Sequence, residues 1–174
     1  PYAAWIDKLG ISRKSVVGVP GTMTAQAFIT TDLDGNQITL FHPGAMDASA
    51  QNSVNDARKS RLAIVSPDGR EGMILHAEQL VSADIPFVFD PGQGLPMFSG
   101  PELVKFIKQA QWITVNAYEA ELMQEKTGMG VADIAGQVDA LIVTRGSEGS
   151  DIYADGKHVK IPVAPVSVAL DPTG

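Results

Sequence analysis

The chain has 174 residues, 44% hydrophobic and 19% charged, a balance that suits a folded core and excludes a disordered chain. A formal charge of −7, with basic residues scattered as at Arg58, Lys59 and Arg61 and no basic stripe interleaved with aromatics, argues against nucleic acid or an anionic membrane surface as partner. The absence of Cys excludes disulfides and thiolate metal sites, and His42, His76 and His158 are too far apart for a local zinc motif, so His76 and His158 read as ordinary polar histidines.

In chain order, "PYAAWIDKLGI" opens as a helix already under way, with Ala4, Trp5, Lys8 and Leu9 at helical spacing and Gly10 as its stop. "AQAFITTDLDGNQITLFHPG" follows as two β-rich arms joined at Asp34-Gly35-Asn36, a strong hairpin signal. Strand parity puts Gln26, Phe28 and Thr30 on one face of the first arm and Ile38, Leu40 and His42 on one face of the second. Such a mixed face suits a strand pair over a small ligand, although periodicity alone favours an ordinary half-buried hairpin.

From residue 61 the grammar alternates strand and helix. "RLAIVS" is a short buried strand, and "REGMILHAEQLVSA" a helix with Met73, Leu75, Ala77, Leu80 and Val81 on its apolar side. "PFVFD" is a strand and "PGQG" a turn; Ser99 or Gly100 caps the next helix, with Pro101 in its first position. "WITV" is a strand, "AYEAELMQEKTG" a helix closed by Gly128, "VADIAGQV" a short helix and "ALIVT" another strand. "SDIYADGKHVKIPV" is a second hairpin turning at Asp155-Gly156, and "VSVAL" leads into a final turn, Asp171-Pro172-Thr173-Gly174. Repeated strand–helix–strand units predict a mostly parallel sheet covered on both faces. No apolar run approaches a membrane span and no signal-peptide pattern opens the chain, so a cytoplasmic protein is the expectation.

Ligands of such sheets bind at the carboxyl ends of the strands. Four ends present polar residues: Asp90, Asn116, Thr144 and Asp171. "NAYE" sets Asn116 and Glu119 three apart at a helix start, which is a capping box, and the same geometry could hold a hydrated Mg²⁺. "VTRGSEGS" places Thr144, Gly146 and Gly149 beyond a buried strand; it is a loop into the hairpin, or a site of close backbone approach to a ligand. Arg145 within it could reach a phosphate or stand solvated. The loop is neither a Walker A sequence nor a dinucleotide fingerprint, and no early Gly-rich loop supports an unrelated Rossmann-like domain.

Taken together, "FVFDPGQGLP", "WITVNAYEAELM", "ALIVTRGSEGS" and "ALDPTG", in this order, resemble the PfkB carbohydrate kinase family, also called the ribokinase family, and more narrowly its bacterial adenosine-kinase-like members. The resemblance covers nearly the whole chain and implies an α/β three-layer sandwich, a mostly parallel sheet with a small β lid matched by residues 24–42. The α/β nucleotide-binding body would be residues 61–174, within a partial kinase domain of residues 1–174. The implied activity is ATP-dependent phosphorylation of a hydroxymethyl group on a nucleoside or sugar. Adenosine is preferred because Phe28, Ile38 and Leu40 are apolar enough to cover a base.

The resemblance also implies roles. Asn116 and Glu119 match the family's Asn-x-x-Glu motif, which influences Mg²⁺ and phosphate binding, with Glu119 reaching the metal through water. Thr144, Gly146 and Gly149 would border ATP, together with Asp171; Thr173 and Gly174 would begin the anion hole for the transferring phosphate. Gln26, Phe28, Ile38, Leu40 and His42 would contact substrate. The general base would be an Asp beyond Gly174, so the chain reads as an internal segment, inactive by itself, and the alternative is a non-catalytic nucleotide-binding fragment. Dependence on a monovalent cation is left open, as is a homodimer formed through the lid strands.

Overall fold

A computed structural model describes residues 2–33, 37–57 and 59–165; the Asp34-Gly35-Asn36 turn and the "VSVALDPTG" end, with Asp171, Thr173 and Gly174, lie outside the described residues. The chain divides into two compact units, Pro1–Pro86 and Phe87–Gly174.

The first unit begins with helix α1 (Tyr2–Lys8), which buries none of its residues. Strands β1 (Gln26–Thr31) and β2 (Gln37–His42) form an antiparallel two-stranded sheet. Its register pairs Gln26 with His42, Phe28 with Leu40 and Thr30 with Ile38, so these six side chains share one face, as strand parity predicted. Two 3₁₀ segments, Gly44–Gln51 and Val54–Ala57, lead to β3 (Ala63–Val65) and α2 (Arg70–Ser82). Helix α2 buries Met73, Ala77 and Leu80, a line at helical spacing. Val81, expected on that apolar side, is half exposed, because it follows Leu80 by about 100° around the helix and turns away from the buried line.

The second unit carries strands β4 (Phe87–Phe89), β5 (Trp112–Asn116), β6 (Ala140–Thr144), β7 (Ser150–Ala154) and β8 (Lys157–Ile161), side by side in that order. β4, β5 and β6 are parallel, and β7 and β8 extend them as an antiparallel edge. The expected hairpin turn at Asp155-Gly156 is present, with φ of 51° and 69° at its two central residues, the two-residue geometry that matches strand twist.

Helices α3 (Gly100–Gln109), α4 (Ala117–Thr127) and α5 (Val131–Ala135) complete the unit. α3 begins at the predicted Ser99, whose backbone N–H donates to Glu102 Oε2 at 2.8 Å. α4 closes at Gly128, as its sequence implied. Packing centres on Phe106, stacked on Phe89 at 4.3 Å between centroids and meeting Phe98 edge-on at 5.0 Å. Lys126 Nζ ties α4 to the segment before α3 by donating to the carbonyls of Pro96 and Phe98 at 3.1 and 2.8 Å. By register Ile113 and Leu141 share one face of the sheet with Val115, Val143 and Asp151, and all five are buried.

Candidate functional site

Parallel pairing decides what stands together at the carboxyl edge. Asn116, the last residue of β5, is the direct cross-strand partner of Thr144, the last residue of β6. Beyond them opens a shallow cleft of about 380 Å³ lined by Asn116, Ala117, Tyr118, Thr144, Arg145, Gly146 and Glu148. β4 stops earlier: Phe89 is level with Ile113, so Asp90 follows it on the same edge but set back from the cleft. Burial raises the Asp90 carboxyl above the ordinary Asp value.

The first turn of α4 forms one wall. Asn116 Oδ1 accepts from the Glu119 backbone N–H at 2.8 Å, Glu119 Oε2 accepts from the Asn116 backbone N–H at 2.8 Å, and Glu119 Oε1 accepts from Asn116 Nδ2 at 2.8 Å. The capping box is therefore complete, and both oxygens of Glu119 already carry one hydrogen bond each. Each carboxylate oxygen has further lone-pair capacity, so the donor set suits a cation held through water rather than one ligated directly. Among the described residues no group of three or more His, Asp or Glu side chains is placed to enclose a metal.

The opposite wall is the turn after β6. Arg145 N donates to Gly149 O at 2.8 Å, Glu148 N donates to Arg145 O at 3.0 Å, and Gly149 N donates to Gly146 O at 3.1 Å. Gly146 has φ +55° with open space where a Cβ would point; Gly149 has φ +92° and lies against the backbone at Ile161 and Pro162. Arg145 is not simply solvated. Its Nε donates to Asp151 Oδ2.

The other expected residues divide by unit. Gln26, Phe28, Ile38, Leu40 and His42 lie together on one face of the hairpin in the first unit, with Phe28, Ile38 and Leu40 well exposed. Asn116, Glu119, Thr144, Gly146 and Gly149 gather in the second, while Asp171, Thr173 and Gly174 fall outside the described residues. Sequence reading missed Asp151, the one buried charged residue among those described, and the engagement of His158 with it: His158 Nε2 is 2.7 Å from Asp151 Oδ1, and its ring stacks on Tyr153 at 4.5 Å. Asp151 sits where strand alternation expects an inward apolar residue, which was the available signal.

A cleft beyond the carboxyl ends of parallel strands, walled by a capped helix start and a glycine turn, is the place where α/β proteins of the doubly wound class bind their ligands. The particular family is shown by its sequence profile: residues 2–174 match the pfkB family carbohydrate kinases, and the chain belongs to that family. It is 31% identical over 173 residues to a nucleoside kinase of Methanocaldococcus jannaschii, covering 99% of this chain and 57% of that relative. The structure of that archaeal enzyme, described as a member of the ribokinase family, superposes with a TM-score of 0.85 at 30% identity, over 99% of this chain and 57% of that one. The Burkholderia thailandensis nucleoside kinase in complex with inosine superposes with a TM-score of 0.91 at 50% identity, covering 100% of this chain and 57% of that one. The fold is thus ribokinase-like, and the chain spans a little over half the length of these relatives.

Proposed function

We propose that the protein acts as a nucleoside kinase, transferring the γ-phosphate of ATP to the hydroxymethyl group of an adenosine-like nucleoside. The observation that carries this reading is the direct pairing of Asn116 with Thr144 at the mouth of an open polar cleft. The first N–H groups of α4 point to the same end, where a helix start favours a polyphosphate. The relative from Burkholderia thailandensis has been solved with inosine and with ADP-inosine, which supports a purine nucleoside over a free sugar.

In this reading Thr144, Gly146 and Gly149 border the nucleotide together with Asp171, and Thr173 and Gly174 would begin the anion hole for the transferring phosphate. Glu119, oriented by Asn116, would hold Mg²⁺ through water; when bound, the ion neutralises phosphate charge. Phe28, Ile38 and Leu40 supply apolar cover for the base, and Gln26 and His42 supply hydrogen-bonding groups beside it. Among the described residues no helix is long and apolar enough to cross a membrane, and a cytoplasmic location accords with the use of ATP.

The test is phosphate transfer by the complete protein from labelled ATP to adenosine, inosine, ribose and fructose, with and without Mg²⁺. Nucleoside 5′-monophosphate as main product is the expected result. No transfer to any of the four overturns the reading, and transfer to sugars alone overturns its nucleoside part.

A further inference from the structure

Asp151 is placed at a cost. It is 2% exposed on the inward face of β7, directly opposite the buried Val143, where an aliphatic side chain would pack as well. Burying a carboxylate is unfavourable unless it is paired, and replacing a buried ion pair by apolar residues is often neutral or stabilising, so fold stability is a weak reason for its presence. Its two oxygens are divided between two partners. Oδ2 accepts from Arg145 Nε, and Oδ1 lies 2.7 Å from His158 Nε2, whose ring is fixed by the stack on Tyr153. His158 is the cross-strand partner of Tyr153 on β8, so the hairpin presents these groups as one rigid set.

Arg145 is where this set meets the cleft. It follows Thr144 immediately and lines the cleft with Asn116 and Gly146. Its backbone N–H and carbonyl are two of the hydrogen-bonding groups that close the turn of residues 145–149. A flexible side chain has thereby been anchored at its far end to the sheet interior, and the turn at its near end inherits that anchor.

We propose that Asp151 is a positioning residue for the nucleotide. Acting through Arg145, with His158 as second anchor, it holds the 145–149 turn and the guanidinium in the arrangement that receives the anionic polyphosphate chain. The inference rests on the nucleoside-kinase reading and adds to it a determinant of nucleotide affinity remote from the cleft. Preorganised donors and cations bind an anion without the entropy loss of being ordered at the moment of binding.

The test uses the complete kinase, with KM for ATP, KM for nucleoside and kcat measured separately. Asp151→Asn keeps size and removes the charge; KM for ATP should rise about tenfold while kcat and the nucleoside KM stay within about twofold. Arg145→Gln should produce a similar rise, and adding Asp151→Asn to it should change KM for ATP by less than about twofold, because both act through one group. A purely structural Asp151 would give the same factor in both backgrounds, and that result overturns the proposal. An unchanged ATP KM in Asp151→Asn overturns it as well. If Asp151→Asn does not fold, the exposed pair Arg145→Gln and His158→Gln decides: non-additive increases support the proposal, and an ATP KM within about twofold of wild type in Arg145→Gln refutes it. Wild-type protein without phosphate transfer would instead refute the kinase reading, so the two failures are distinguishable.

Discussion

Gly149→Ala offers the sharpest test of the turn after β6. Gly149 has φ 92° and ψ −132°, outside the regions open to residues with a Cβ. A Cβ added there would overlap the Ile161 carbonyl oxygen and lie 3.0 Å from its carbon and 3.1 Å from the Pro162 carbonyl carbon. These are backbone atoms at the end of β8 and of the residue just after it, so no side chain can swing aside. Backbone strain of this kind costs about 1–3 kcal/mol. Forced overpacking adds about 1–3 kcal/mol more. The sum centres near 4 kcal/mol, which for a chain of this size lowers Tm by about 8–16 °C. Gly146→Ala is the control: φ is +55° but nothing lies within 4 Å of the added Cβ. Only left-handed strain remains there, about 1–2 kcal/mol. Thermal unfolding followed by circular dichroism compares the two. Equal falls at both positions, or a fall at Gly149 no larger than that at Gly146, would refute the steric account.

The remaining expectations concern the helix start, the core and the buried acid. Asn116→Ala should lose about 1 kcal/mol by removing the cap, whereas Asn116→Ser stays close to wild type in denaturant unfolding. Glu119→Gln preserves a capping box, so its Tm should hold while the Mg²⁺ concentration required for activity in the complete enzyme rises; unchanged Mg²⁺ dependence would confine Glu119 to capping. Phe106→Ala, which removes one ring from the Phe89–Phe98 cluster, should cost about 3–5 kcal/mol by urea titration. Hydrogen bonds from Arg145 first, and then from His158, hold the Asp151 carboxyl below the ordinary Asp value. An acid with a depressed folded pKa stabilises the fold above its unfolded pKa and loses that contribution as pH falls through the folded value. The stability gap between wild type and Asp151→Asn should therefore be widest near neutral pH and close on acidification below about pH 4; a gap independent of pH would contradict the charge pairing.

Much of the framework was legible because it is locally encoded. Asn116 and Glu119 form their box within one turn of helix, and Asp155-Gly156 dictates a two-residue loop whatever the rest of the chain does. Parity then carried the hairpin face from Gln26 to His42 without any long-range information. What escaped was what short periodicity cannot carry. The 3₁₀ segments Gly44–Gln51 and Val54–Ala57 have no amphipathic repeat of useful length. The burial of Val81 was overestimated because the adjacent apolar pair Leu80-Val81 does not itself show which of the two lies on the packed line. The two-residue loop sets β8 against β7, but Arg145 meets Asp151 only once β6 pairs with β7, and no spacing rule in the sequence expresses that pairing.

The antiparallel edge has one further consequence. After β6 the chain reverses twice, so β7 travels away from the cleft and β8 travels back, and Thr144, Ser150 and Ile161 stand level with one another. The path thus makes a closed excursion and leaves β8 at the rim from which it departed. The tip at Asp155-Gly156 marks the far end of that excursion, a place where added length would alter neither the point of return nor the walls of the cleft.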